Sequence, residues 1–176
     1  MKIQILVDNP GSWFLPYAEK LAKELKKGGH KSKLVYKHKD VIEGDILCLI
    51  GCVRIFKDLY KNTHNLVVHE SDLPKGKGWS PLTWQVLEGK KKIPITLFEA
   101  TVGVDSGDIY LQDFIILEGH ELLNEIKHQQ GLKTNQLIHK FIDNYNSIRP
   151  RRQSGLETFY KRRKPEDSEV DIYKPI

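Results

Sequence analysis

The stretch from Lys2 to Tyr36 constrains the fold more than any other part of the chain. Lys2 to Val7 is a strand-length run, apolar from Ile3 onward except for Gln4, and a strand lacking alternation is one buried on both faces. Asp8-Asn9-Pro10-Gly11-Ser12 supplies turn chemistry. Leu15, Ala18, Leu21, Ala22 and Leu25 then recur at helical spacing and stop at Gly28-Gly29. Lys31 to Tyr36 follows as a second, weakly patterned strand. Strand, helix and strand in this order predict parallel pairing across a crossover helix.

The pattern continues. A third strand is expected at Asp45 to Ile50, then a loop or short helix opening with Val53-Arg54-Ile55-Phe56, then a strand at Asn65 to Val68 that ends at His69. A loop rich in Pro, Gly, Lys and Ser leads into a helix over Leu82 to Leu87, with Gly89 as its stop. Ile93 to Glu99 and Ile109 to Leu117 read as a hairpin-like strand pair separated by the Gly103 to Gly107 turn. Glu121 to Tyr145 carries helical spacing, with Gly131 as a candidate break. The expected fold is α/β, a mostly parallel Rossmann-like sheet flanked by helices. The expected organisation is one α/β domain over 1–147 and a basic extension over 148–176.

Composition removes several classes. No run of about 18 apolar residues is present, which argues against a transmembrane helix. The N-terminal apolar run has no small-residue cleavage site, so cytoplasmic is the expected location. Cys48 and Cys52 have no second pair to complete a tetrahedral zinc site or a disulfide framework. The first strand–turn–helix lacks G-x-G-x-x-G, so a nicotinamide dinucleotide site is not supported. The net charge of +5 is concentrated: Arg149 to Lys164 holds seven bases against Glu157 alone, while 21 bases face 22 acids elsewhere. Such a run is either a solvated tail or a surface for an anionic partner, with phosphate the usual candidate.

Two residues are placed for chemistry. His69 closes an apolar strand, where open α/β sheets put ligands, and Asp105 lies in a turn just before another strand. A carboxylate beside an imidazole fixes its tautomer and stabilises its charged form. A lone histidine after an apolar strand is more often structural. Ser71 suits either a turn cap or a ligand contact. His64, His69 and Glu70 lack the one-face spacing of a metal site.

The run His69-Glu70-Ser71-Asp72-Leu73-Pro74, with Gly78, Ser80-Pro81 and Gly89, resembles the H-x-S-x-L-P…G…P…G loop of the folate-dependent formyltransferases. Val104-Asp105-Ser106-Gly107-Asp108-Ile109 resembles that family's D-x-G-x-I turn, with Gln112 following. Arg162-Arg163-Lys164-Pro165-Glu166-Asp167-Ser168, then Lys174-Pro175, is similar to the R-R-x-P-x-D-S…K-P stretch of the branch acting on nucleotide-linked amino sugars. The resemblance implies a formyltransferase fold and transfer of formyl from 10-formyltetrahydrofolate to a sugar amine, as in lipopolysaccharide biosynthesis. It implies His69 and Asp105 as catalytic residues, and Ser71, Gly78, Ser80, Arg162 and Arg163 as acceptor contacts. Val53, Arg54, Phe56, Val104 and Gly107 would line the folate site, Gly107 by letting the turn approach the pterin. Folate and a nucleotide-linked sugar are the implied partners, and a homodimer the implied assembly.

One departure stands out. The family pattern is N-x-H, with the asparagine as oxyanion donor, and this chain has Val67 there. Asn65 shares the strand face but lies about 13 Å from His69 along an extended strand. Loop backbone or Ser71 are the alternatives. Sugar formyltransferases also usually continue beyond the K-P, which fits either a fragment or a minimal version. Methionyl-tRNA as acceptor is disfavoured here because no barrel domain follows. Glycinamide ribonucleotide is disfavoured by the R-R-x-P-x-D-S tail and by Val67. A non-catalytic module holding nucleotide or nucleic acid through the basic tail is the other class. Only Phe159 and Tyr160 interleave the bases, so a single-strand platform is poorly supported.

Overall fold

The first strand, β1 (Lys2–Leu6), has every residue after Lys2 buried, and this double burial places it inside the sheet. In the computed structural model, which describes residues 1–169, β1 pairs in parallel with β2 (Lys31–Val35) on one side and β3 (Gly44–Leu49) on the other. β4 (Asn62–His69) continues the parallel half. β6 (Lys92–Glu99) and β7 (Ile109–Ile116) add antiparallel, giving the order β2-β1-β3-β4-β6-β7. β5 (Lys77–Gly78) lies outside this sheet. The mostly parallel α/β architecture expected from the pattern is therefore the observed one.

Two long helices cover one face. α1 (Leu15–Lys27) buries Ala18, Leu21, Ala22 and Leu25, the residues whose spacing predicts it. α3 (Leu123–Asp143) buries Leu137, Ile138, Phe141 and Ile142. Both pack on Ile3, Ile5, Ile46, Cys48, Leu66, Ile95 and Ile115 in one apolar cluster. The short helix α2 (Pro81–Leu87) adds Leu82 to the same cluster. Alternation sends Leu6, Leu47 and Val67 to the opposite face, where loops cover them.

Three local expectations are corrected. Gly131 does not break α3, which runs unbroken through it. A Cβ there would stand 2.5 Å from the Tyr17 ring, so the glycine serves close helix–helix approach. The strand expected from Asn65 spans Asn62–His69, because pairing with β3 reaches back to Asn62 opposite Gly44. Residues 148–160, aperiodic in sequence, are held by backbone pairing. Arg151 bridges to Ile109, and β8 (Phe159–Tyr160) pairs in parallel with β5. Among the described residues, no helix is long and apolar enough to cross a membrane.

Candidate active site

β4 delivers His69 to the carboxyl edge of the parallel strands, and β6 holds it there by pairing His69 with Thr96. The imidazole is buried, and its Nε2 is 2.8 Å from the carbonyl of Gly76 and 3.6 Å from Asp105 Oδ2. Both neighbours are acceptors, so Nε2 carries a proton. Asp105 is brought in by the turn before β7, at a φ of 47° that few non-glycine residues adopt. Its Oδ2 accepts the Gly78 N–H at 2.8 Å. The loop between β4 and α2 and the turn before β7 therefore meet at one carboxylate.

Each expected residue has a definite place. Gly78 has a φ of 101° and its backbone packs on Tyr160 so closely that a Cβ would overlap the Tyr160 carbonyl. Ser80 is exposed and left-handed at the start of α2, without a capping bond. Ser71 is buried: its carbonyl accepts from Thr96 Oγ1 at 2.6 Å, and its hydroxyl has no partner in the structure. Val53 and Arg54 are exposed on a loop without regular structure, and Val104 is exposed in the Asp105 turn. Arg162 is exposed, and Arg163 is part-buried with its guanidinium 6.0 Å from the Trp84 ring centre.

Two placements change the physical reason for a residue. Phe56, expected at the folate pocket wall, is buried with Leu6, Val35, Val41 and Leu47. Its ring packs in the core. Gly107 is demanded by the chain itself, because a Cβ would collide with the carbonyl of Glu99. Its glycine does not require a ligand.

Several contributors were not legible as site residues. Asp8, at the end of β1, accepts from the N–H groups of Val53 at 2.8 Å and Arg54 at 3.1 Å, and from His38 Nε2 at 2.9 Å. Burial pushes this carboxyl up, but those donors outweigh it and hold it below its ordinary value. Asp8 thus fixes the loop that presents Val53. Glu70 lies buried beside His69; burial raises its carboxyl above the ordinary range although Gln130 Nε2 donates to it at 2.7 Å. Lys77 is 1% exposed, between Ser106 and Glu157. Gln153 Nε2 donates to the carbonyls of Asp105 and Gly107, both at 2.8 Å. Asn65 does not reach toward His69: its Nδ2 donates to Leu59 O at 2.9 Å. Turn residues such as Asp8 carry a weak signal, and a buried lysine in a glycine-rich loop carries none.

The basic tail is folded around its acid. Asp167 accepts from Lys161 Nζ at 2.6 Å and from the Lys164 N–H at 2.7 Å. Trp84 and Tyr160 stack with ring centres 6.3 Å apart and planes 9° from parallel. Lys161 Nζ lies 5.4 Å from the Trp84 ring centre, and the Trp84 indole N–H donates to Lys161 O. Lys174 and Pro175 of the similarity motif lie outside the described residues. The two cysteines are free, and burial pushes both thiols up to about 12.

A six-stranded α/β sheet with a histidine at its carboxyl edge and an Asp turn beside it defines a class. Residues 16–137 match the family described as formyl transferase, and the chain belongs to it. It is 31% identical over 110 residues to the methionyl-tRNA formyltransferase of Finegoldia magna, which covers 60% of this chain and 35% of that protein. The chain thus spans about a third of the length of the curated relatives it matches. The methionyl-tRNA formyltransferase from Clostridium thermocellum superposes with a TM-score of 0.82 at 24% identity, over 99% of this chain and 78% of that one. An N-formyltransferase from Helicobacter canadensis, solved with folinic acid and dTDP-3-aminofucose, superposes with a TM-score of 0.74 at 17% identity. That match covers 100% of this chain and 74% of the other.

Proposed function

We propose that the chain transfers a formyl group from 10-formyltetrahydrofolate to the amine of a nucleotide-linked amino sugar, with His69 and Asp105 at the centre. The observation that carries the sugar reading is the stacked Trp84–Tyr160 pair flanked by Lys161 and Arg163. Flat rings with cations beside them suit a base and its phosphates. This pair sits on α2 and β8, which adjoin the His69 loop through β5. The ligands of the Helicobacter canadensis enzyme, folinic acid and dTDP-3-aminofucose, support the same reading.

The folate co-substrate supplies the formyl carbon. Val53 and Ile55, two exposed aliphatic side chains on the loop pinned by Asp8, suit the face of a pterin. His69 takes the proton of the attacking amine on Nδ1, since Nε2 already donates to Gly76. The imidazolium that results is stabilised by Asp105, 3.6 Å away, and it returns the proton to the folate N10 as the bond between the formyl carbon and N10 breaks and tetrahydrofolate leaves. At Val67 there is no side-chain donor for the charge that develops on the formyl oxygen; one such donor is worth roughly 10²–10³ in rate. Turnover is accordingly expected to be slow for the class.

The second reading, methionyl-tRNA as acceptor, is favoured by the identity to the Finegoldia magna protein and the superposition on the Clostridium thermocellum enzyme. One assay separates the two. The protein is incubated with 10-formyltetrahydrofolate and either charged initiator tRNA or a panel of UDP- and dTDP-linked amino sugars, and product is read by mass spectrometry. Formylation of a sugar is expected. Formylation of the tRNA alone overturns the sugar reading, and no product with any acceptor overturns both.

A further inference from the structure

Among the described residues, Lys77 heads the large side chains that are fully buried, and it is the only charged one of them. An ammonium is kept from water only where its partners compensate for the lost hydration. Those partners belong to two segments far apart in sequence. Nζ donates to Ser106 Oγ at 3.1 Å, in the Asp105 turn, and to Glu157 Oε1 at 2.6 Å, in the C-terminal segment. The Phe159 ring centre lies 5.9 Å from Nζ. The Lys77 N–H donates to Thr158 O at 2.9 Å, so backbone and side chain grip the same segment.

The turn it touches needs holding. A non-glycine residue at positive φ persists only where its surroundings over-determine it, and Asp105 is at 47°. Gly78 holds its carboxylate, Gln153 holds the Asp105 and Gly107 carbonyls, and Ser106 Oγ donates to Val104 O at 2.9 Å. Lys77 closes this set by fixing the same Ser106 oxygen. Gln153 and Glu157 lie outside residues 16–137, the part that matches the family.

We propose that Lys77 is a positioning residue: its ammonium, clamped between Ser106 and Glu157, fixes the Asp105 turn and so sets the carboxylate against His69. The C-terminal segment is thereby part of the centre. Lys77 itself touches no reacting atom and acts through Ser106. The proposal rests on His69 and Asp105 being the transfer centre.

The test compares wild type with Lys77→Met, Lys77→Arg, Ser106→Ala and Glu157→Gln in steady-state formyl transfer, alongside the ¹⁵N shifts of the His69 ring, which report its hydrogen-bond partners. Lys77→Met is expected to lower kcat by about tenfold or more, because small misplacements of a catalytic group are costly, and to leave the KM for folate unchanged. Lys77→Arg recovers part of the rate, and the His69 shifts move in Lys77→Met. A folded Lys77→Met with wild-type kcat overturns the proposal, as does a parallel loss of kcat and folate affinity with unmoved His69 shifts. If Lys77→Met does not fold, Ser106→Ala decides: lower kcat and moved shifts support the proposal, and wild-type values overturn it. If wild type transfers formyl to no acceptor, the functional reading fails by itself, and the His69 shifts alone then decide the positioning role.

Discussion

Three glycines separate the cost of backbone conformation from the cost of lost space. Gly155 has a φ of 107° and nothing within 4 Å of a built Cβ, so Gly155→Ala meets conformational strain only. Left-handed backbone costs an L-residue about 1–2 kcal/mol. Gly107 is not at positive φ, but its Cβ would enter the Glu99 carbonyl, a backbone atom within a paired strand that cannot rotate aside. Gly107→Ala therefore meets overpacking only, and because this overlap is deeper than the one at Gly78 its cost lies at or beyond the upper end of about 1–3 kcal/mol. Gly78 combines both, a φ of 101° and a collision with the Tyr160 carbonyl. The costs add to about 2–5 kcal/mol where they are independent. A chain of this length loses about 2–4 °C of Tm per kcal/mol. Calorimetric melts should place Gly78→Ala and Gly107→Ala both well below Gly155→Ala, which stays nearest wild type. Gly78→Ala should also lose formyl transfer beyond its stability loss, since the Gly78 N–H that holds Asp105 moves with the β5–β8 pairing. A Gly78→Ala protein no less stable than Gly155→Ala would refute the placement of the C-terminal segment against the His69 loop.

His69→Asn should lower kcat by about 10²–10⁴, the usual worth of a positioned acid–base group, while folate affinity measured by fluorescence titration stays within error. Glu70→Gln should raise stability at neutral pH. A carboxyl whose folded-state pKa is raised favours folding at low pH and loses that contribution as pH rises through the folded value. The Tm difference between Glu70→Gln and wild type should then shrink below the ordinary carboxyl value of 4.5. Asp8 runs the other way: its lowered pKa contributes stability above 3.8 that is lost as pH falls through the folded value. Asp8→Asn should therefore flatten the acid limb of the Tm profile below pH 3.8 and weaken folate binding by loosening the Val53 loop. Thr96→Val strips the donor from the buried Ser71 carbonyl and the acceptor from Gln112. It should cost about 1–3 kcal/mol in urea unfolding.

The alternation of β1, α1 and β2 was readable because each element answers to one physical period. Ile3, Ile5 and Leu6 are buried on both sheet faces, and Ala18, Leu21, Ala22 and Leu25 form one helix stripe. Pairing of β8 with β5 answers to no period. It joins two-residue strands through backbone groups, which every residue carries alike, so Phe159 and Tyr160 look like any aromatic pair in a basic tail. The meeting of His69 with Asp105 was legible through motif spacing, yet Gly107 and Phe56 show that such spacing does not reveal which atom demands the residue. The Glu99 carbonyl requires a glycine at 107, and the cluster around Leu6 and Leu47 takes the Phe56 ring. Lys77 is the sharpest case, because lysine in a Gly-Lys-Gly loop has every local reason to be solvated. Only the tertiary meeting of that loop with the Asp105 turn and residues 153–160 removes its water. The parts of the centre that local sequence leaves hidden are the ones supplied by this meeting of three segments.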